Sequence, residues 1–353
     1  MLLTSVLRVS IFFVVIAIVV ILSLTTRTGT TIALPTIMRN GQLFRTSSSS
    51  SSSSPPPPSS VHSIGGGDDD NTNTTNTTTN NNNNNNNKAV ILTFGDGWKD
   101  QFVNAKPILD KYGFKASFFV TCDRVGETSK MTWQDLTTLY KERHDVESKT
   151  MTGKILTHMP ANQLDFEVGQ SKQCLANHGI NNVTVFATPH GAGSDNATVV
   201  NVIAKYHYDF AINGFSKLMF LHCDGYKKES PDQTDCRTFD NNGKLTYANR
   251  YVVREWSHNT LDEDYGNNNT KIFQIFVQEV NSQIPYNNKN NRIYAIPIVA
   301  YHSIGKNSPH STDLGLFAEE MKYLHDNNFR VLTMNDLGFD KNNYYIYVKY
   351  YAL

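Results

Sequence analysis

After residue 88 the chain switches between two hydrophobic periods. Short β-branched and aromatic runs alternate with stretches in which apolar residues recur every three or four positions. The short runs predict strands at 89–94, 116–121, 146–148, 183–187, 210–212, 251–254, 293–302 and 330–333. The longer stretches predict helices at 98–112, 132–143, 161–177, 196–206, 271–284 and 317–327. Phe102, Ala105, Ile108 and Leu109 share one face of the first helix, and Thr132 is placed to cap the second. Repeated βα units predict a parallel sheet, either closed or doubly wound. About seven units in ~260 residues suit a (β/α) barrel.

Upstream of residue 88 the pattern is of another kind. Residues 9–26 carry no charge, and 11–24 are almost wholly Val, Ile, Phe and Leu. That run approaches the ~20 residues a membrane-spanning helix needs. No small-x-small cleavage site follows it, so residues 1–27 read as an uncleaved transmembrane anchor, with a signal segment as the alternative. Residues 28–87 hold a serine run (47–54), a proline run (55–58) and an asparagine run (80–87). Such a composition cannot bury apolar surface, and it predicts a disordered stalk. Residues 88–340 form the predicted folded domain and 341–353 a C-terminal tail. Arg8 precedes the apolar run while Arg27, Arg39 and Arg45 follow it, so charge alone does not place the domain outside the cell. The stalk, and sequons such as Asn182-Val183-Thr184, Asn196-Ala197-Thr198 and Asn268-Asn269-Thr270, favour a membrane-anchored domain facing the exterior.

Composition narrows the partners. Thirty-two basic and 32 acidic residues balance, so nothing argues for nucleic acid. The four cysteines make no C-x-x-C pattern. Cys223 and Cys236 bracket a polar loop and read equally as a disulfide or as two free thiols.

Candidate chemistry starts at Thr93-Phe94-Gly95-Asp96-Gly97, which ends the first predicted strand. Carboxylates at the carboxyl ends of buried parallel strands are where α/β enzymes place their chemistry. Only one carboxylate stands here, with a glycine beside it. Downstream come Glu147-Ser148-Lys149-Thr150-Met151-Thr152, then Pro189-His190-Gly191, then Ala300-Tyr301-His302-Ser303 and Phe329-Arg330-Val331. In that order, each near a predicted strand end or helix start, these segments resemble the NodB-homology polysaccharide deacetylases, carbohydrate esterase family four. The resemblance runs from about Lys88 to Leu337.

It implies a distorted (β/α) barrel and metal-dependent removal of acetyl groups from sugars, that is, a carbohydrate hydrolase of non-peptide carbon–nitrogen bonds. It further implies a divalent metal, zinc as a rule, and a glycan or cell-envelope polysaccharide as partner. Mapped by motif, the general base position is Gly95, the metal-binding carboxylate is Asp96, and the two histidine ligands fall on Lys149 and Gly153. His302 takes the general acid position. Pro189 and His190 occupy the third motif, where Ala187 stands for an arginine. Trp256 lies where the family keeps a groove wall, and Arg254 is a stand-in for the missing arginine or a salt-bridge partner of Glu255 or Asp262.

The departures have direct consequences. A catalytic zinc needs about three protein ligands and an open position, and Asp96 alone does not supply them. An ammonium has no lone pair, so Lys149 is expected to pair with Asp96 and act as a charge substitute for the metal. A set reassembled from His158, His190, His302 and Asp96 is the compensating alternative. Trp98 and Trp133 are candidates for stacking on sugar, and Asp100 reads as a first-turn helix residue. Three functions follow: a deacetylase-type hydrolase with impaired standard catalysis, a membrane-tethered barrel that binds sugar without hydrolysing it, and a structural scaffold.

Overall fold

The computed structural model describes residues 87–193, 196–215, 217–221, 250–258, 268–287, 292–305, 310–342 and 345–349, all within a compact unit spanning Thr78–Leu353. The apolar run at 9–26, the Ser/Pro/Asn-rich linker at 28–86, and Cys223 and Cys236 lie outside the described residues. Among the described residues no helix is long and apolar enough to cross a membrane.

Seven parallel strands close on themselves: β1 Ala89–Phe94, β2 Ser117–Val120, β3 Asp145–Ser148, β4 Val185–Ala187, β5 Phe210–Phe215, β6 Val253–Ser257 and β7 Ile298–Tyr301. Closure comes from β1 pairing with β7, Ile91 opposite Ile298 through Phe94 opposite Tyr301. The first half of β1 also pairs with β8, Arg330–Leu332, while Thr93 and Phe94 pair with β2. The alternative of an open, doubly wound sheet is thereby excluded.

The alternation of β1 builds two cores at once. Val90, Leu92 and Phe94 face the surrounding helices, with Phe118, Tyr301 and Phe317 ringing Phe94. Ala89 and Ile91 face the barrel interior with Phe119, Val185, Ile212, Val253 and Ile298. Glu147 on β3 is also buried, where it accepts hydrogen bonds from the Thr184 and Val185 amides and from Asn335 Nδ2. Burial pushes its carboxyl well above the usual range. It carries backbone amides of the β3–β4 seam, where only Ser148 and Phe186 pair in register.

Local chemistry explains the element boundaries. Thr132 and Asp135 form a reciprocal capping box at the start of the helix Trp133–Lys141. Asn196 and Asn268, both sequon asparagines, cap the helices Ala197–Lys205 and Asn269–Asn281. The predicted strand 293–302 breaks into Ala295–Ile296 and Ile298–Tyr301 around Pro297, which has no amide to donate. The segment predicted as a C-terminal tail contains a strand, Tyr345–Val348. It pairs antiparallel with Leu337–Asp340 and buries Ile346 and Val348 among the barrel-interior residues. Alternating aromatic and apolar residues at 345–348 carry that signal.

A disulfide joins Cys122, just past β2, to Cys174 in the helix Ser171–Asn177. The pairing considered from sequence was a different one. A cross-link over 52 residues stabilises by about 4 kcal/mol on the chain-entropy scale. Reduction, or Cys174→Ser, should therefore lower the urea midpoint by a corresponding amount, with a matching shift between reduced and unreduced gels.

Candidate functional site

The strand ends β1, β3, β6 and β7 converge on one cavity of about 480 Å³. Asp96, Lys149, Glu255 and His302 line it, with Pro189, His190, Thr121, Arg124, Ser257 and His310 among its walls. Two residues set the frame. Gln101, fully buried at the start of a π-helical turn, donates from Nε2 to the carbonyls of Gly95 and His302 at 2.6 and 2.7 Å. This binds the exits of β1 and β7 to each other, alongside the Gly95 amide donating to Tyr301 O at 2.8 Å. Asp100 does not use its carboxylate as a helix cap. It accepts from Ser303 Oγ at 2.6 Å and from the Ile304 amide at 3.2 Å, fixing the segment after His302.

Asp96 has a left-handed backbone, φ 75°, a conformation costing an L-residue roughly 1–2 kcal/mol. It is held on both sides. Lys149 Nζ lies 2.7 Å from its Oδ1, and Lys130 Nζ donates to its carbonyl at 2.8 Å. Burial pushes the Asp96 carboxyl up, but Lys149, with His302 and Lys130, outweighs it and holds the pKa at about 2. The ion pair expected from sequence is therefore present.

His302 is the reverse case. Burial, then the Lys149 charge, lowers its pKa to about 4; Asp96 opposes, while His310 and His258 add to the fall. Its Nδ1 is buried without a hydrogen-bond partner. Near neutral pH this ring is uncharged and has no proton to give as an imidazolium acid. Glu255 accepts from Thr93 Oγ1 at 2.8 Å, and burial raises its carboxyl, with Lys149 lowering and Asp96 raising it further. Glu255 is one of the lining residues that sequence reading missed, with Arg124, Ser257 and His310. Strand β6 points Val253, Glu255 and Ser257 inward, so Arg254 and Trp256, the residues singled out from sequence, fall on the opposite face. Trp256 packs there against the outer core, edge-on to His258.

Other expected roles fall elsewhere. His158 is exposed and outside the cavity lining, so of the reassembled set only His190 and His302 join Asp96 there. Lys130 covers Trp98, its Nζ 3.3 Å from the ring centre, and Trp133 stacks on His178 with centroids 3.5 Å apart. Both indole faces are thus engaged within the protein.

The cavity does not fit a catalytic metal. The Asp96 carboxylate is engaged by an ammonium, Lys149 offers that ammonium where a ligand is needed, and Gly153 has no side chain. Among the described residues, Asp110, Glu142 and His144 also lie close enough to share an ion. That group lies at the other end of β3, and Lys106 Nζ already bridges Asp110 and Glu142 at 2.6 and 2.5 Å. His144 Nδ1 accepts from the Ala116 amide, which leaves the proton on Nε2, the nitrogen facing Asp110.

Two outcomes test these electrostatics. The His302 ring should stay neutral on acidification until about pH 4, read from its imidazole NMR shifts. An Asp96 carboxyl held below its ordinary 3.8 contributes stability above about pH 4, lost as pH falls toward about 2. Asp96→Asn should remove this, costing about 1–2 kcal/mol at neutral pH once partial exposure is allowed for. It should also flatten the stability–pH curve over that window, measured by urea unfolding.

Residues 82–211 match the family model described as polysaccharide deacetylase. The Bacillus subtilis (strain 168) polysaccharide deacetylase homologue YxkH is 28% identical over 102 residues, which span 29% of this chain and 37% of that protein. Among solved structures, a family 4 carbohydrate esterase from Streptomyces lividans in complex with acetate aligns at 15% identity and TM-score 0.41, covering 69% of this chain and 92% of that one. A CE4 family pseudoenzyme from Bacillus anthracis aligns at 14% identity and TM-score 0.44, covering 70% and 64%.

Proposed function

We propose that this chain is a member of the NodB-homology polysaccharide deacetylase family, and that its cavity engages a glycan while the family's metal-dependent deacetylation is impaired. One observation carries the reading: the Lys149 ammonium lies 2.7 Å from Asp96, in the place where the family resemblance puts a histidine ligand. The positive charge is kept and the open coordination position is lost. A lysine ammonium can donate hydrogen bonds to a sugar oxygen, but it cannot lower the pKa of a bound water as a divalent metal does.

The remaining groups do not rebuild the hydrolytic pair. Gly95 supplies no base. Glu255 is held toward its protonated form, and His302 is neutral near pH 7. General acid–base work needs a base and an acid that are each correctly protonated at the working pH. Here burial raises the Glu255 carboxyl and lowers the His302 imidazole, so each is shifted away from its ionised form.

We place the domain outside the cell, tethered by the apolar run at 9–26. The Cys122–Cys174 disulfide supports an oxidising compartment, and the run has the length of a spanning helix.

Intact protein purified without added metal should hold substoichiometric zinc by elemental analysis. It should bind acetylated oligosaccharides with an affinity that a chelator leaves unchanged. It should release no acetate from them above blank, with or without added divalent metals. Stoichiometric zinc together with metal-dependent acetate release would establish the hydrolase reading in its place.

A further inference from the structure

The sequons at Asn182, Asn196 and Asn268 have different places in the fold. Asn196 is committed to its surroundings. Its Oδ1 accepts from the Thr198 and Val199 amides, and its Nδ2 donates to Thr157 O at 3.0 Å. Asn268 Oδ1 accepts from the Lys271 amide at 3.1 Å. Asn182 is exposed, in the irregular segment between the helix Ser171–Asn177 and β4. Its side chain enters no hydrogen bond among the described residues. Val183 beside it is buried in the outer core, so the segment is anchored while Asn182 faces solvent.

We propose that Asn182 is an N-glycan acceptor, and that the fold admits a glycan there and not at Asn196. The inference rests on the placement of the domain outside the cell, which brings the chain to a lipid-linked oligosaccharide donor. The Cys122–Cys174 disulfide fits the same compartment. In the transfer, Asn182 Nδ2 bonds to the anomeric carbon of the oligosaccharide. The bond from that carbon to the phosphate of a polyprenyl diphosphate carrier breaks, the diphosphate leaves with the electron pair, and one amide proton passes to solvent. The sequon is read before the barrel closes. In the folded protein Thr184 Oγ1 donates to Asn335 Oδ1, and the Thr184 amide donates to Glu147. Asn335 lies 151 residues downstream, so the Thr184 hydroxyl lacks that partner while the chain is still being made. Folding then decides which modified chains mature. A glycan on Asn182 projects into solvent, whereas one on Asn196 displaces packing around a half-buried helix cap. Asn182 also precedes β4, whose other end leads to Thr188 and Pro189 in the cavity wall. A glycan there is a bulky, solvated cover for the end of the barrel opposite the cavity.

The test is translation of the full chain with glycosylation-competent endoplasmic-reticulum microsomes, followed by protease added outside them. Site occupancy is read by mass spectrometry of the folded, trypsin-resistant domain after enzymatic deglycosylation, which converts each modified asparagine to aspartate. Asn182 should be recovered as aspartate and Asn196 as asparagine. Asn182→Gln should lose one glycan step on a gel, Thr184→Ser should keep it, and Asn196→Gln should lose none from the folded fraction. A protease-protected domain with Asn182 unmodified overturns the acceptor assignment and leaves the external placement standing. Equal occupancy of Asn182 and Asn196 in the folded fraction overturns the selection by the fold. A domain degraded by the outside protease, with no glycan on Asn182, overturns both the assignment and the placement.

Discussion

The ion pair between Lys149 and Asp96 is the contact around which the cavity is organised. It joins the exit of β3 to the exit of β1, holds a non-glycine residue in a left-handed conformation, and sets the field felt by His302 and Glu255. A metal ion would join ligands in a comparable way, with twice the charge and an exchangeable coordination position. The lysine joins the two strand exits through a hydrogen-bonded ion pair. The shell around it is built to match. Gln101 fixes the two strand exits, Asp100 fixes the segment beyond His302, and Lys130 fixes the Asp96 carbonyl.

This arrangement separates two properties that a metalloenzyme combines. Affinity for a polar ligand needs directed donors in a partly dry cavity, and Lys149 provides them. Water activation by the family's route needs a Lewis acid and a poised base, which an ammonium does not replace. Fold and function part company at single positions while the barrel is unchanged. The positions at which the resemblance expects other residues, Gly95, Lys149 and Gly153, follow the ends of β1 and β3, where a substitution alters chemistry with little effect on the core.

Much of the barrel was legible from periodicity, because each strand is flanked by turn residues and each helix carries a clean apolar face. The Asp96–Lys149 pair was legible as well, since two motif positions with opposite charges had to meet if the barrel closed. What escaped notice escaped for identifiable reasons. Glu255 was passed over because its neighbours Arg254 and Trp256 drew the reading to the wrong parity of β6, and strand direction is fixed only by pairing. Gln101 and Asp100 look like ordinary first-turn residues, and their partners His302 and Ser303 lie 201 and 203 residues away in sequence. The Cys122–Cys174 bridge has no local pattern at all, because it joins a strand exit to a helix only after both have docked. The strand at Tyr345–Val348 was read as a tail because its partner, Leu337–Asp340, carries few apolar residues.

The pairing of β1 with β7 and β8 has a further consequence, for the way the barrel forms. Beyond its short pairing with β2, its first strand has its neighbours at residues 298–301 and 330–332, so the hydrogen bonds that shut the cylinder span more than two hundred residues. Contacts so distant in sequence are slow to form, because the loop entropy is lost before any contact repays it. Until residues 298–332 have left the ribosome, β1 has open edges and the apolar interior is exposed.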